Sequence, residues 1–188
     1  MIIRSAKAED VASIAKCHIQ SWQETYPGIM PQEKLDAMNI TASMRNWQHA
    51  LEHGQIFLLA EVSGTICGFA SGGENRSNQG CETGIGDSCS AELGALYLIQ
   101  RFQKMGIGRA LFESFCREAL ALGHRSMVVW VAQENESCRF YAHMGGEKVD
   151  KKILKVINTD VPVIAYRYSA EVMQRHATRA QKPQELPE

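Results

Sequence analysis

The chain has 188 residues, 45% of them hydrophobic and 22% charged, with a net charge of −1 at neutral pH. This composition fits one globular domain with a real core, and the even balance of acid and base gives no support to a nucleic-acid partner. Apolar runs are too short to span a membrane, the first residues lack the long apolar region of a signal peptide, and six cysteines are scattered without a C-x-x-C pair. A cytoplasmic protein with reduced thiols is the expectation, with neither a zinc staple nor a disulfide framework.

Ile2-Ile3-Arg4 reads as a short strand. Val11, Ile14, Ala15 and His18 then recur at helical spacing, with Glu9 and Asp10 where a helix start favours acids. Tyr26-Pro27-Gly28 breaks the chain, and Pro31–Met38 and Thr41–His53 read as helices. Ile56–Val62 and Thr65–Gly73, joined by Ser63-Gly64, predict a β-hairpin. The polar stretch Glu74–Ser90 is long for a loop inside a domain, which suggests a mobile or functional segment. Ala91–Leu98 predicts a strand, Ile107–Leu122 a helix, Ser126–Ala132 a strand and Ser137–Met144 a short helix. Glu147–Val156 and Val161–Tyr168 predict a closing strand pair. The domain is therefore placed at residues 1–169, with 170–188 as a polar tail. A strand–helix–strand unit set among hairpins implies an α/β (α+β) fold whose mixed, mostly antiparallel sheet holds one parallel pair.

Between the central strand and its helix stands Gln103-Lys104-Met105-Gly106-Ile107-Gly108-Arg109. Each glycine costs a helix about 1 kcal/mol relative to alanine. Unpaired N–H groups at a helix start, together with the helix dipole, make an anion site, and glycine lets a bulky anion approach the backbone. Lys104 and Arg109 add positive charge. The phosphate loop G-x-x-x-x-G-K-[ST] is absent, and the dinucleotide pattern G-x-G-x-x-G fails at Leu111. The other G-x-G, Gly84-Ile-Gly86, fails the same pattern at Cys89.

Ala91-Glu-Leu-Gly-Ala-Leu-Tyr-Leu98 followed by Gln103-x-x-Gly106-x-Gly108-Arg109 resembles the acetyl-CoA motif, [QR]-x-x-G-x-[GA], of the GNAT superfamily of N-acetyltransferases. Ile2–Pro31 with Ser21-Trp22 and Tyr26, then Trp130-Val131, Asn135, Phe140-Tyr141 and Gly145-Gly146, and finally Val163–Tyr168, extend the likeness along most of the chain. The resemblance implies a GNAT acyl-CoA N-acyltransferase fold with a splayed central parallel strand pair. Acetyl-CoA would serve as co-substrate, without a metal, and a primary amine as acceptor, on a small molecule or on a peptide or protein. By the same likeness, Leu96, Tyr97 and Leu98 would pair with the pantetheine arm. The amides of Gln103, Lys104, Met105, Gly106, Ile107, Gly108 and Arg109 would hold the diphosphate. Asn135 would contact the pantetheine or simply cap a helix. Tyr141 would protonate the leaving thiolate or pack in the core. Glu92 would serve as base or sit solvated at a strand end, with Glu61 a weaker choice. Trp22 and Tyr26 would shape the acceptor pocket or belong to the core, with the Glu74–Ser90 loop as a possible cover. Homodimers formed through closing strands are common in the family. The chain departs from the family's usual spacing in two places: Tyr141 follows Asn135 by six residues, and Gly145-Gly146 stands where Gly-Phe is usual.

Two other readings remain open at this level. His49-Ala-Leu-Glu52-His53 matches the H-x-x-E-H pattern of inverted zinc peptidases, with both histidines one helical turn apart, although histidines also suit a helix C-terminus. A module that binds acyl-CoA without turning it over would carry the same glycine turn.

Overall fold

The computed structural model describes residues 1–54, 56–75 and 89–180. In chain order the elements are β1 (Ile2–Ser5), α1 (Val11–Thr25), α2 (Gln32–Asp36), α3 (Ile40–His53), β2 (Ile56–Val62), β3 (Thr65–Glu74), β4 (Ala91–Leu98), α4 (Ile107–Ala121), β5 (Ser126–Ala132), α5 (Ser137–His143), β6 (Glu147–Val156), β7 (Thr159–Ser169) and α6 (Ala170–Arg179). The strands form one sheet in the order β1-β2-β3-β4-β5-β7-β6. Every neighbouring pair is antiparallel except β4 and β5, as the strand–helix–strand reading requires. The closing strand β7 has both sides taken, by β5 and β6, so β6 is the sheet's edge on that side.

Apolar residues on the two faces sort the helices. Ala91, Leu93 and Leu98 of β4 pack with Ile107, Leu111, Phe112 and Phe115 of α4. On the opposite face Ala95 packs with Ile14 and Cys17 of α1, against Phe57 and Phe69. Helix α3 starts where Asn39 Oδ1 accepts the Ala42 N–H at 3.1 Å, an N-cap that satisfies one of the helix's otherwise unpaired donors.

One segment differs from the sequence expectation. Residues 170–179, read above as the start of a polar tail, form helix α6, capped by Ser169 and buried against the domain through Met173, His176 and Ala177. The apolar stripe is only one side wide, so its surroundings read as polar. Most of the expected loop at 74–90 lies outside the described residues. Its two ends are tied, Asn75 N–H to the Ser90 carbonyl at 3.1 Å and Asn75 Nδ2 to the Cys89 carbonyl at 2.9 Å.

The sheet's irregularity sits at its centre. Ser71 pairs with Ala95 but Gly72 pairs with Leu93, leaving Gly94 as an extra residue in β4. Such a bulge bends its strand and increases the local twist. It also explains Gly72, where a Cβ would stand 2.1 Å from the Glu92 carbonyl oxygen and 2.8 Å from Phe115. We predict that Gly72→Ala forces β3 and β4 apart and destabilises the fold by roughly 1–3 kcal/mol, measured as a melting midpoint lower by several degrees. An unchanged midpoint would mean that the strands relax freely around the bulge.

Candidate active site

Strands β4 and β5 are hydrogen-bonded only at Ala91↔Met127 and Glu92↔Val128. Beyond Glu92 they part, although β4 stays paired to β3 as far as Leu98 and β5 stays paired to β7 along its whole length. The bulge at Gly94 begins where the pairing stops, and its added twist turns β4 away from β5. The sheet is therefore split into two firmly paired halves with a wedge between them. Leu96, Tyr97 and Leu98 line one side of that wedge. The Leu98 carbonyl accepts a hydrogen bond from the Gln103 side chain at 3.2 Å, so Gln103 closes the strand end and directs the chain into the turn that follows.

That turn is built as the glycines suggest. Lys104 and Gly106 both take left-handed backbone conformations, φ 62° and 80°, and such residues bring successive N–H groups onto one concave side. Among the described residues, the N–H groups from Lys104 to Arg109 donate to no protein acceptor, and the helical ladder begins where Ala110 N–H meets the Gly106 carbonyl at 3.0 Å. A Cβ on Gly106 would meet nothing within 4 Å, and one on Gly108 only the edge of Phe140 at 4.0 Å. Buried Ile107 anchors the helix start, while Lys104 and Arg109 stand at the rim. Free donors, open space above them, a 15-residue helix behind them and two cations beside them fit a diphosphate.

At the wedge the two faces of the sheet meet. Tyr141 of α5 packs with the α4 side, and Tyr97 faces α1. Burial, and then the neighbouring Tyr97 and Cys138, push the Tyr141 phenol above its usual range. Tyr26, at the end of α1, is likewise pushed up, first by burial and then by Tyr97 and Tyr141, while the neighbouring Asn135 side chain pulls the other way. Asn135 stands just ahead of α5, and its Oδ1 accepts the Ser137 N–H at 2.8 Å. The structure thus brings Tyr26, Tyr97, Asn135 and Tyr141 together across the gap.

Glu92 is not a solvated strand end: it is 5% exposed. It alternates with Ala91 and Leu93, which face α4, and so lies on the α1 face. Glu61, two strands away, instead accepts from Arg4 Nε at 3.1 Å. Trp22 packs with Met30, Leu35, Ala132 and Val161, and its ring lies 4.5 Å from that of Tyr26. Sequence reasoning passes over His18, whose ring stands 5.0–5.3 Å from the rings of Trp22, Trp47 and Tyr97, with Nδ1 3.2 Å from Ser43 Oγ. Burial pushes it down to about 4, so it is neutral at physiological pH. Beyond β5 a cavity of about 260 Å³ is lined by Gly28, Ile29, Ala132, Glu134, Asp160 and Val161, among others.

The residues of the H-x-x-E-H stretch are engaged otherwise. His53 Nδ1 lies 2.9 Å from the His49 carbonyl, the two rings stack at 4.1 Å, and Glu52 accepts from Gln48 at 2.6 Å. Among the described residues, no three His, Cys, Asp or Glu side chains are grouped so as to hold a metal ion, and no helix is long and apolar enough to cross a membrane.

Comparison with known proteins points the same way. The acetyltransferase (GNAT) family model matches residues 17–145. An uncharacterized N-acetyltransferase, YuaI of Bacillus subtilis (strain 168), is 36% identical over 147 residues, covering 78% of this chain and 80% of the relative. Among solved structures, a GCN5-related N-acetyltransferase from Rhodopseudomonas palustris superposes with a TM-score of 0.70 at 18% identity, over 89% of this chain and 94% of its own. YncA from Salmonella typhimurium, solved with acetyl-CoA, gives 0.64 at 19% identity, over 90% and 93%. With the sheet parted beside a turn of free amides, and with a family model that spans both, this chain belongs to the acetyltransferase (GNAT) family.

Proposed function

We propose that the protein moves the acetyl group of acetyl-CoA to a primary amine by direct attack, both substrates being held at the wedge between β4 and β5. The observation that carries this reading is the loss of β4–β5 pairing after Glu92 immediately ahead of the unpaired amides of Lys104–Arg109. When bound, acetyl-CoA supplies a thioester carbonyl that an amine can attack. The amides of Lys104–Arg109 hold its diphosphate, and the free edge of β4 at Leu96–Leu98 aligns the pantetheine arm in the wedge.

An attacking amine must be neutral, yet a lysine-like amine has a pKa of about 10.4, so a base has to accept a proton. Glu92 suits this role, being buried on the α1 face near the gap. The leaving thiolate corresponds to a thiol of pKa about 8.5 and is a better leaving group when protonated. Tyr141 suits that role because burial keeps its hydroxyl protonated, and among the described residues that hydroxyl makes no hydrogen bond. Trp22 and Tyr26 wall the α1 side, and the cavity carrying Glu134 and Asp160 lies beside the end of β5. Asp160 is also paired with Lys155 at 3.2 Å.

Release of CoA in the presence of a panel of amines tests the whole reading; binding of acetyl-CoA with no release on any amine would favour a non-catalytic module. Gly108→Trp should fill the open space over the turn and weaken acetyl-CoA at least tenfold by calorimetry, and unchanged affinity would remove the turn from the binding site. Tyr141→Phe should lower kcat by about 10²-fold with little change in acetyl-CoA affinity, whereas equal losses in both would assign the side chain to packing. Glu92→Gln should depress the rate most at low pH, where the amine most needs a base. A pH–rate profile identical to that of the native chain would exclude Glu92 from the proton transfer.

A further inference from the structure

The H-x-x-E-H stretch takes no part in the wedge, yet its geometry is specific. His49 and His53 lie one turn apart at the C-terminal end of α3. Trp47, Ala50 and Leu51 of the same helix turn inward to the cluster of Phe57 and Phe69. His49, Glu52 and His53 stand on the outer face, all three exposed. Residues i and i+4 are neighbours on a helix surface, and here the two imidazole rings stack at 4.1 Å with their planes 18° apart.

One of these rings has its tautomer set by the backbone. His53 Nδ1 lies 2.9 Å from the His49 carbonyl oxygen. A carbonyl only accepts, so Nδ1 carries the hydrogen, and the lone pair of the neutral ring is on Nε2. Among the described residues His53 Nε2 makes no hydrogen bond, and neither ring nitrogen of His49 makes one. A histidine that donates from one nitrogen to a carbonyl and leaves the other bare is arranged as metal-ligating histidines are. Exposed side chains change rotamer quickly. A turn of His49 out of the stack therefore brings its lone pair onto an ion held by His53 Nε2, at the usual Zn–N distance of about 2.0–2.1 Å.

The surroundings decide what kind of ion this is. Glu52 supplies negative charge next to His53, its carboxylate accepting from Gln48 at 2.6 Å. A cavity of about 330 Å³, lined by Val11, Met44, Arg45, Gln48, His49 and Glu52, leaves room for water on the ion. Arg45, one turn before His49, is a cation on the same side, but it is exposed and solvent screens it. Imidazole suits Zn²⁺, Ni²⁺ and Cu²⁺, whereas Mg²⁺ and Ca²⁺ prefer oxygen. We propose that His49 and His53 form a two-imidazole chelate for such a late first-row divalent cation, clipping the last turn of α3. With two protein ligands and water in the other positions, it is neither a closed structural zinc site nor a peptidase centre.

Calorimetry of Ni²⁺ binding to the full chain at pH 8, in a buffer that does not coordinate metals, tests the chelate. Losing one of two linked ligands should weaken Ni²⁺ by about tenfold or more, in His49→Ala and in His53→Ala alike. Both side chains are exposed, so the melting midpoint without metal should be the same in either variant. In the native chain Cu²⁺ should bind more tightly than Ni²⁺ or Zn²⁺, and Mg²⁺ should not compete. Gln48→His added to His49→Ala keeps two imidazoles but puts them five residues apart, on different faces, and should not restore binding. Nitrogen NMR of the native chain should show His53 protonated at Nδ1, with added Zn²⁺ shifting signals of both rings together. Unchanged Ni²⁺ affinity in either single variant, rescue by the misplaced histidine, or a zinc shift confined to one ring would each overturn the chelate. So would His53 protonated at Nε2, or Mg²⁺ competing as well as Zn²⁺, which would mark a mere counter-ion at Glu52.

Discussion

The architecture depends on one extra residue. Gly94 sits in β4 with no partner on β3, and a strand that gains a residue must bend. On one side β4 is locked to β3, so the bend opens the other side, toward β5. Gly72 is what lets this happen, since any side chain there would collide with the Glu92 backbone and with Phe115. The resulting gap leaves a strand edge unpaired in the middle of the molecule. Such an edge at a sheet's rim invites adventitious pairing. Here it is sheltered between two half-sheets, where only a slender, extended partner can reach it.

From the same bend follows the position of the anion turn. Strand β4 ends at Leu98, Gln103 folds back onto the Leu98 carbonyl, and the next residues carry the amides that the protein leaves free. Strand edge and amide cradle are therefore neighbours in sequence and in space, so a ligand with an extended arm and a diphosphate can engage both. Because the pairing between β4 and β5 stops early, side chains packed on opposite faces also come within reach of each other. Tyr141 comes from the α4 side, and Tyr97 and Tyr26 from the α1 side. An intact sheet would keep them apart. Burial holds the Tyr26 and Tyr141 hydroxyls in the protonated form that a proton donor needs.

What the sequence makes legible is what local chemistry encodes. β2, β4, β5 and β6 begin and end where alternation and turn residues place them, and the glycine turn announces an anion site through residues adjacent in the chain. Contacts between distant segments are not written in this way. Nothing in the spacing of Tyr26, Tyr97 and Asn135 reveals that their side chains meet, nor that His18 stands among three aromatic rings. Helix α6 escapes a reading of the sequence for a different reason. Its signal is present, as Ser169 ahead of Val172, Met173, His176 and Ala177, but only one face is apolar. That face is useful only against a partner helix, α4, more than fifty residues earlier.

The departure at Gly145-Gly146 now has a physical cause. A Cβ on Gly146 would stand 2.7 Å from the Tyr168 hydroxyl and 3.0 Å from the Tyr141 carbonyl, the two atoms that bond to each other. Gly145 precedes it in the left-handed conformation that lets the chain leave α5. A bulky residue in place of Gly146 would have to displace the Tyr168 ring and break the bond that ties β7 to the backbone of Tyr141. The second glycine thus follows from the way this chain fixes α5, with a buried tyrosine from β7 beneath it and a histidine from α6 at its end. The shorter interval between Asn135 and Tyr141 belongs to the same arrangement: Asn135 stands just ahead of the helix, Tyr168 and His176 hold its carbonyls, and Tyr141 is set between them at the mouth of the wedge.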